Sequence, residues 1–432
     1  MLETEKLKNG LTILRVPMDG VESVATVVMV NAGSRYEKPE SYGVAHFLEH
    51  MVFKGTEKYP NNQIISQTID GIGAQFNAFT SQEMTEFFIR SAAKDIDLCL
   101  EMLGQMTTRM LIETKEINKE RGVILEELHM YEDMPDAHNA NEFDKMMFAG
   151  SGLGHDIGGT KETVSAMKRK HFLDFIDTWY RPENMLVVLA GKREAVMKKE
   201  LSKKVEQFFQ FRDFTGEKQQ QRDWWEKRFV YGKRLNFIER KTEQTHFVLG
   251  WPGLDMFSKK DLQLGLLQVV MGGNMSSRLF SEVREKRGLC YYVRAMSDSF
   301  CDSGVLGAAS GVNPDKLEEA VKVTVEEFGK VAEGKQALDK KELERAKNFL
   351  TGQLTLSQES VYGLALQYGT QYLFKQKVRT VAQTLREIEQ ITVEQVRALA
   401  ADIIKSQELR LSAIGKIDQK QRAAIEKIVW GW

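Results

Sequence analysis

His46-Phe47-Leu48-Glu49-His50 is the stretch around which the rest of this sequence organises. In a helix, residues four apart stack on one face, so His46 and His50 point the same way with Glu49 beside them. Two imidazoles at that spacing grip one Zn²⁺, and the neighbouring carboxylate is placed to take a proton from water at the metal. The competing reading is an amphipathic core helix carrying two hydrogen-bonded histidines.

A catalytic zinc usually has three protein ligands and keeps one position open. The helical pattern from Thr114 to Tyr131 supplies a candidate. At 100° per residue, Ile117, Val123, Ile124, Leu128 and Tyr131 share one broad apolar arc. Glu120 and Glu127 fall within it, whereas Glu126 falls on the polar side. Carboxylates on a buried face need a partner, and a metal with its supporting shell is one. Glu127 is therefore read as the third ligand and Glu120 as a carboxylate that orients the site. Glu113, Glu116 and Glu126 suit a solvated acidic face.

The order His-x-x-Glu-His is that of the inverzincins. Around it run Leu7-Lys8-Asn9-Gly10-Leu11-Thr12, Asn31-Ala32-Gly33-Ser34-Arg35-Tyr36-Glu37 and the signature from Gly43 to Thr56. With these segments the chain resembles, over nearly its whole length, the pitrilysin/insulinase family of zinc metallopeptidases. The likeness is to the half-size members, which include the mitochondrial processing peptidase subunits and bacterial homologues. In that family the third ligand is a glutamate about 77 residues beyond the second histidine, which falls on Glu127.

Three further segments extend the resemblance. Gly73-Ala74-Gln75-Phe76-Asn77-Ala78-Phe79-Thr80-Ser81 is similar to the strand lining the family's cleft. There an extended peptide pairs with an exposed edge through main-chain hydrogen bonds. The resemblance makes Asn77, Ala78 and Phe79 substrate-binding, with Asn77 on the substrate backbone; taken alone, Asn77 reads as a turn cap. Gly272 to Phe280 leads into Arg284 and Tyr291, seven residues apart, the spacing of an arginine and tyrosine that hold substrate and the developing oxyanion in the family. Taken alone, these two are ordinary surface residues. Gly154 to Thr160 is similar to a glycine-rich turn, and its His155 is not expected to be a ligand. His129, His138, His171 and His246 have no partner spacing and receive no role.

The pattern of strands, then helices, then a closing strand is read twice along the chain. Met185 to Gly191 and Leu409 to Gly415 share an apolar-then-glycine character, which hints at an internal duplication. The expected fold is α+β: two related domains, each a mostly antiparallel sheet with helices packed on one side, forming half of a clamshell. The boundaries are residues 1–212 for a zinc-binding domain, 213–230 for a polar linker, and 231–432 for a domain carrying Arg284 and Tyr291.

Composition narrows the classes. With 42% hydrophobic and 28% charged residues, the chain describes a soluble protein with a proper core. Sixty basic against 61 acidic residues argue for neither nucleic acid nor anionic membrane. Residues 1–30 lack the pattern of a secretory signal. Three cysteines without metal-type pairing favour a reduced, cytoplasmic setting, although a removed targeting segment would leave the same sequence. The expected activity is zinc-dependent endoproteolysis of extended peptides or unfolded segments, with one Zn²⁺ per chain and Glu49 as general base. A chain with both the zinc motif and the Arg/Tyr pair favours a homodimer; a heterodimer with a zinc-less paralogue, as in a processing peptidase, is the alternative. A non-catalytic peptide-binding scaffold is the competing class.

Overall fold

Ser23–Val30 and Met185–Lys192 are nearly continuous apolar runs, as strands covered on both faces must be. They lie side by side in a six-stranded sheet. The computed structural model describes residues 2–216, 218–224, 233–334 and 338–431. The first sheet comprises β1 (Glu3–Lys6), β2 (Thr12–Met18), β3 (Ser23–Val30), β4 (Gln75–Thr80), β5 (Thr85–Ala92) and β6 (Met185–Lys192), ordered β1-β2-β6-β3-β5-β4. Its β2–β6 pair is parallel and the rest are antiparallel. The second comprises β7 (Leu235–Glu239), β8 (Thr245–Pro252), β9 (Cys290–Ser299), β10 (Gly304–Val312) and β11 (Arg410–Gly415), ordered β7-β11-β8-β10-β9. Here β7–β11 is the parallel pair.

Leaving β1 aside, the two sheets repeat one topology. The first strand lies parallel to the last; the second, fourth and third follow in that order. The repeat extends to single residues. β11 ends at Gly415 and β6 reaches Gly191 near its end, with φ of +145° and +133°. A Cβ at Gly191 would lie 2.2 Å from Ser23 O, and one at Gly415 would lie 2.6 Å from Thr245 Oγ1. Neither position accepts a side chain.

The helices used below are α1 (Val44–Val52), α2 (Asn62–Asp70), α3 (Ile96–Thr108), α4 (Thr114–Asp133) and α5 (Pro135–Met147). Two compact units form, and they do not follow the expected contiguous division. One contains Met1–Leu128, His155–Trp224 and Leu356–Arg379; the other contains His129–Gly154, Trp225–Thr355 and Thr380–Trp432. Each unit thus takes a helix from the other half of the sequence. In the first, Val24, Val28 and Val30 join the core with residues of α1 and α3. Met29 turns the other way, towards the helix Val361–Lys375, whose Gly369 comes so close that a Cβ would lie 2.6 Å from Met29 Cε. In the second, α5 packs Phe143, Met146 and Met147 against Val248, Val305 and Ala309. Asn139 completes that docking by donating to Ser412 O at 3.1 Å and accepting from Ser412 Oγ at 2.8 Å. Helical periodicity reveals a buried face but not the sheet that buries it, which is why the exchange escapes a reading of the sequence.

The expected linker is tied down where it is described. Thr215 N–H donates to Asp177 at 3.0 Å, Arg181 donates to Gly216 O at 2.6 Å, and Trp224 packs edge-on to Tyr36 and Trp179. Residues 217 and 225–230 of that region lie outside the described residues. Among the described residues, no helix is long and apolar enough to cross a membrane.

Candidate metal centre and substrate edge

A nine-residue helix is too short to persist in water unaided, so packing decides where α1 sits. Val44, Phe47, Leu48 and Met51 are buried, with the Phe47 ring edge-on to Phe172 at 5.0 Å. The remaining face carries His46, Glu49 and His50, all half-buried. α4 turns Ile117, Glu120 and Ile124 fully inward. Its buried stripe is narrower than the expected arc, because Val123 and Tyr131 are 53% and 42% exposed. Val123 lies at the edge of that arc. Tyr131 lies beyond Leu128, the last residue of α4 in the first unit.

His46, His50 and Glu127 converge, with one potential ligand atom from each lying within 4.8 Å of the others. Glu127 Oε2 is 3.8 Å from His46 Nε2 and 3.5 Å from His50 Nε2. Ligands on a tetrahedral ion at bonds of about 2.0–2.1 Å stand about 3.3 Å apart, so both Glu127 distances are close to the separation that a shared metal sets. The donors also have the required form. Burial, with the charge of His50, pushes the His46 pKa down to about 4, leaving a neutral imidazole. His50 Nδ1 is 2.9 Å from Glu120 Oε1, which keeps the proton on Nδ1 and frees Nε2 for a metal. Burial lowers the His50 pKa, but the Glu120 hydrogen bond and the carboxylates of Glu127 and Glu49 outweigh it and raise the value. Burial raises Glu120, yet His50 and Lys54 outweigh it and hold Glu120 below the usual carboxylate range. These residues fit a divalent cation.

Glu49 accepts a hydrogen bond from Thr80 Oγ1 at 2.5 Å. Burial raises its pKa, and the Thr80 bond offsets part of the rise. A carboxylate shifted upward is a better proton acceptor while still ionised near neutrality. Thr80 belongs to β4, which among the described residues is the edge strand of its sheet. The two histidines of the cluster therefore share α1 with Glu49, which is anchored to the edge strand. On β4, Asn77 is exposed and Phe79 is 53% exposed, while Ala78 packs partly into the core. Ser81 N–H donates inward to Met84 O, so by strand alternation the Ala78 N–H points to the free edge. Asn77 Oδ1 accepts that N–H at 2.9 Å.

Arg284 and Tyr291 are in the second unit, one on the helical turn Phe280–Glu285 and the other at the start of β9. The Arg284 guanidinium lies 4.7 Å from the Phe280 ring centre and 5.7 Å from that of Tyr291. Tyr291 is 75% exposed. The structure thus gathers His46, Glu49, His50, Glu120 and Glu127 in one unit and joins Arg284 to Tyr291 in the other. His155 stands outside the cluster, at 3.2 Å from Glu37.

Lys54 and Thr80 are functional candidates that the sequence reading did not single out. Lys54 Nζ is 2.6 Å from Glu120 Oε2. Its signal is its place four residues after His50, where one more helical step reaches the same face. Thr80 alternates with Phe76 and Ala78 on β4, but only the pairing of strand and helix shows that its hydroxyl meets Glu49.

Residues 17–161, which include His46, Glu49, His50, Glu120 and Glu127, match the family described as insulinase (peptidase family M16). Residues 166–350 match the peptidase M16 inactive domain. A relative in Streptomyces coelicolor, named uncharacterized zinc protease SCO5738, is 34% identical over 98% of this chain and 91% of its own. This chain belongs to peptidase family M16. Its 432 residues fit the family's half-size members. Bacillus subtilis has a further relative, uncharacterized zinc protease YmxG, 32% identical over 93% of this chain and 96% of its own. Among solved structures, a protease from Helicobacter pylori superposes with a TM-score of 0.87 at 20% identity, covering 96% of this chain and 99% of that one. The peptidase M16 inactive domain from Pseudomonas fluorescens gives 0.86 at 19% identity, covering 97% and 98%. Among the described residues, the one metal-competent cluster falls within the first matched region.

Proposed function

We propose that this protein is a zinc-dependent endopeptidase acting on extended peptides or unfolded protein segments. The observation that carries the proposal is the convergence of His46, His50 and Glu127 on the helix whose Glu49 is tied to the open edge strand β4. A bound Zn²⁺ supplies Lewis acidity, polarising a peptide carbonyl and acidifying water. Glu49 takes the proton of the attacking water on its carboxylate and returns it to the leaving amine. The outward N–H of Ala78 and its neighbours on β4 hold the substrate as an added strand, so affinity rests on backbone rather than side-chain identity. Asn77, which occupies the Ala78 N–H, gives way to the substrate carbonyl, and Phe79 lies beside the bound strand. Arg284 and Tyr291 hold substrate and donate to the carbonyl oxygen as charge develops on it. A folded substrate has no free backbone for such pairing and resists cleavage until it opens. The chain acts in the cytoplasm as a homodimer; pairing with a zinc-less paralogue is the alternative.

The second reading, a scaffold that binds peptide without turnover, draws on the inactive-domain match over residues 166–350. Glu49→Gln separates the two. A peptidase loses turnover by about 10²–10⁴-fold while keeping metal and peptide; a scaffold binds peptide unchanged and shows no cleavage before or after substitution.

A further inference from the structure

The start of α1 is held by groups that the catalytic reading leaves unused. The residue just before it, Gly43, has φ +94° and no side chain to cap the helix. A Cβ there would lie 2.5 Å from Gly158 O. Glu37 caps the turn instead: its Oε2 accepts the Gly43 N–H and its Oε1 the Ala45 N–H, both at 2.7 Å. Glu37 is 2% exposed, so its carboxylate relies on protein partners, and the positive end of the helix dipole favours it there. His155 Nε2 is 3.2 Å from Glu37 Oε2, and its ring lies flat on Tyr42 at 3.8 Å and 15°. The turn bearing His155 is pressed against the same backbone. A Cβ on Gly159 would lie 2.2 Å from Tyr42 O, and Thr163 Oγ1 donates to that oxygen at 2.7 Å.

His46, the residue after Ala45, depends on this arrangement more than His50 does. His50 has its second ring nitrogen fixed by Glu120, whereas His46 Nδ1 is buried and has no hydrogen-bond partner among the described residues. The His46 ring is therefore aimed by the helix backbone and by packing, including Gly158, whose Cβ position is 3.9 Å from His46 Nδ1. We propose that Glu37 and His155 are a positioning pair that sets the first turn of α1 and thereby aims His46 at the metal. The proposal rests on the metal reading above.

His155→Phe tests it, since the ring still stacks on Tyr42 but no longer donates to Glu37. Zn²⁺ affinity is measured by chelator competition, alongside the Tm of the metal-free protein. The expected result is about 10–100-fold weaker binding, the usual effect of losing a supporting hydrogen bond at a metal site, with His155→Gln, which restores a donor, recovering most of it. Affinity within twofold of wild type in a folded His155→Phe, or no recovery in His155→Gln, overturns the proposal. Wild-type protein that binds no metal overturns the metal reading instead. A further check needs no variant. If metal and cap are coupled, Zn²⁺ slows hydrogen exchange at the Gly43 and Ala45 amides; equal rates with and without metal refute the coupling.

Discussion

Glu120→Gln is the most exacting perturbation of the metal centre, because it changes one group and leaves the volume almost unchanged. Glu120 has two committed oxygens, one 2.9 Å from His50 Nδ1 and the other 2.6 Å from Lys54 Nζ. A glutamine satisfies only one of them. If its oxygen faces His50, its NH₂ meets the Lys54 ammonium, two donors in contact. If its NH₂ faces His50, Nδ1 must accept, and the proton moves to Nε2, the nitrogen 3.5 Å from Glu127. The second arrangement removes the lone pair that a metal would use. Both predict weaker binding, by about 10–100-fold, which is about 1.4–2.7 kcal/mol. The metal-free fold loses a charge-assisted hydrogen bond, worth about 1.5–3 kcal/mol, towards the lower end because Lys54 reaches solvent. Chelator competition reads the first effect and denaturation of the metal-free protein the second. Unchanged affinity with lowered stability would refute the idea that Glu120 orients His50, leaving it a purely structural ion pair.

Thr80→Val removes the hydroxyl that lowers the Glu49 pKa, so that pKa rises further above its ordinary value. A general base must be ionised, so the acid limb of the kcat/KM profile moves to higher pH; a shift to lower pH, or none, contradicts the assignment. Ala78→Pro deletes the outward N–H on an edge strand, where proline is tolerated. It should raise KM for extended peptides roughly tenfold, about the worth of one hydrogen bond, with little change in Tm. An unaltered KM would place the substrate elsewhere. Tyr362→Phe leaves Glu86, 1% exposed, without the phenol that donates to it. The expected cost is about 1–3 kcal/mol in a denaturant titration; a neutral result would mean that this bond contributes nothing to holding the 361–375 helix on the first sheet.

Much of the centre was legible before any fold was known, because its geometry is local. Residues 46, 49 and 50 fall on one helical face by periodicity alone, and residues 120 and 127 by the same argument. Two positions in the second arc were misjudged. Val123 and Tyr131 have the apolar character of core residues, but burial depends on what another element covers, and the described residues leave them 53% and 42% exposed. Thr80 and Lys54 carried weaker signals, since a threonine on a strand and a lysine past a helix end have many ordinary uses. Glu37 and His155 sit 118 residues apart, and their meeting depends on a turn laid against the start of α1.

The sequence by itself determined the candidate donor set, the two helices that carry it and the hint of duplication in the two strands closing at Gly191 and Gly415. Those are properties of spacing and side-chain chemistry, which the chain carries wherever it goes. Tertiary structure alone decided that the duplication extends to strand order, and that Glu49 is tied to the edge strand through Thr80. It also decided that α5 and the 361–375 helix join the units opposite to their place in the sequence. The physical reason is that an amphipathic pattern specifies a face to be buried, while the partner face is chosen by close packing and by polar matches. Asn139 on Ser412 and Tyr362 on Glu86 are such matches, formed by residues 273 and 276 positions apart.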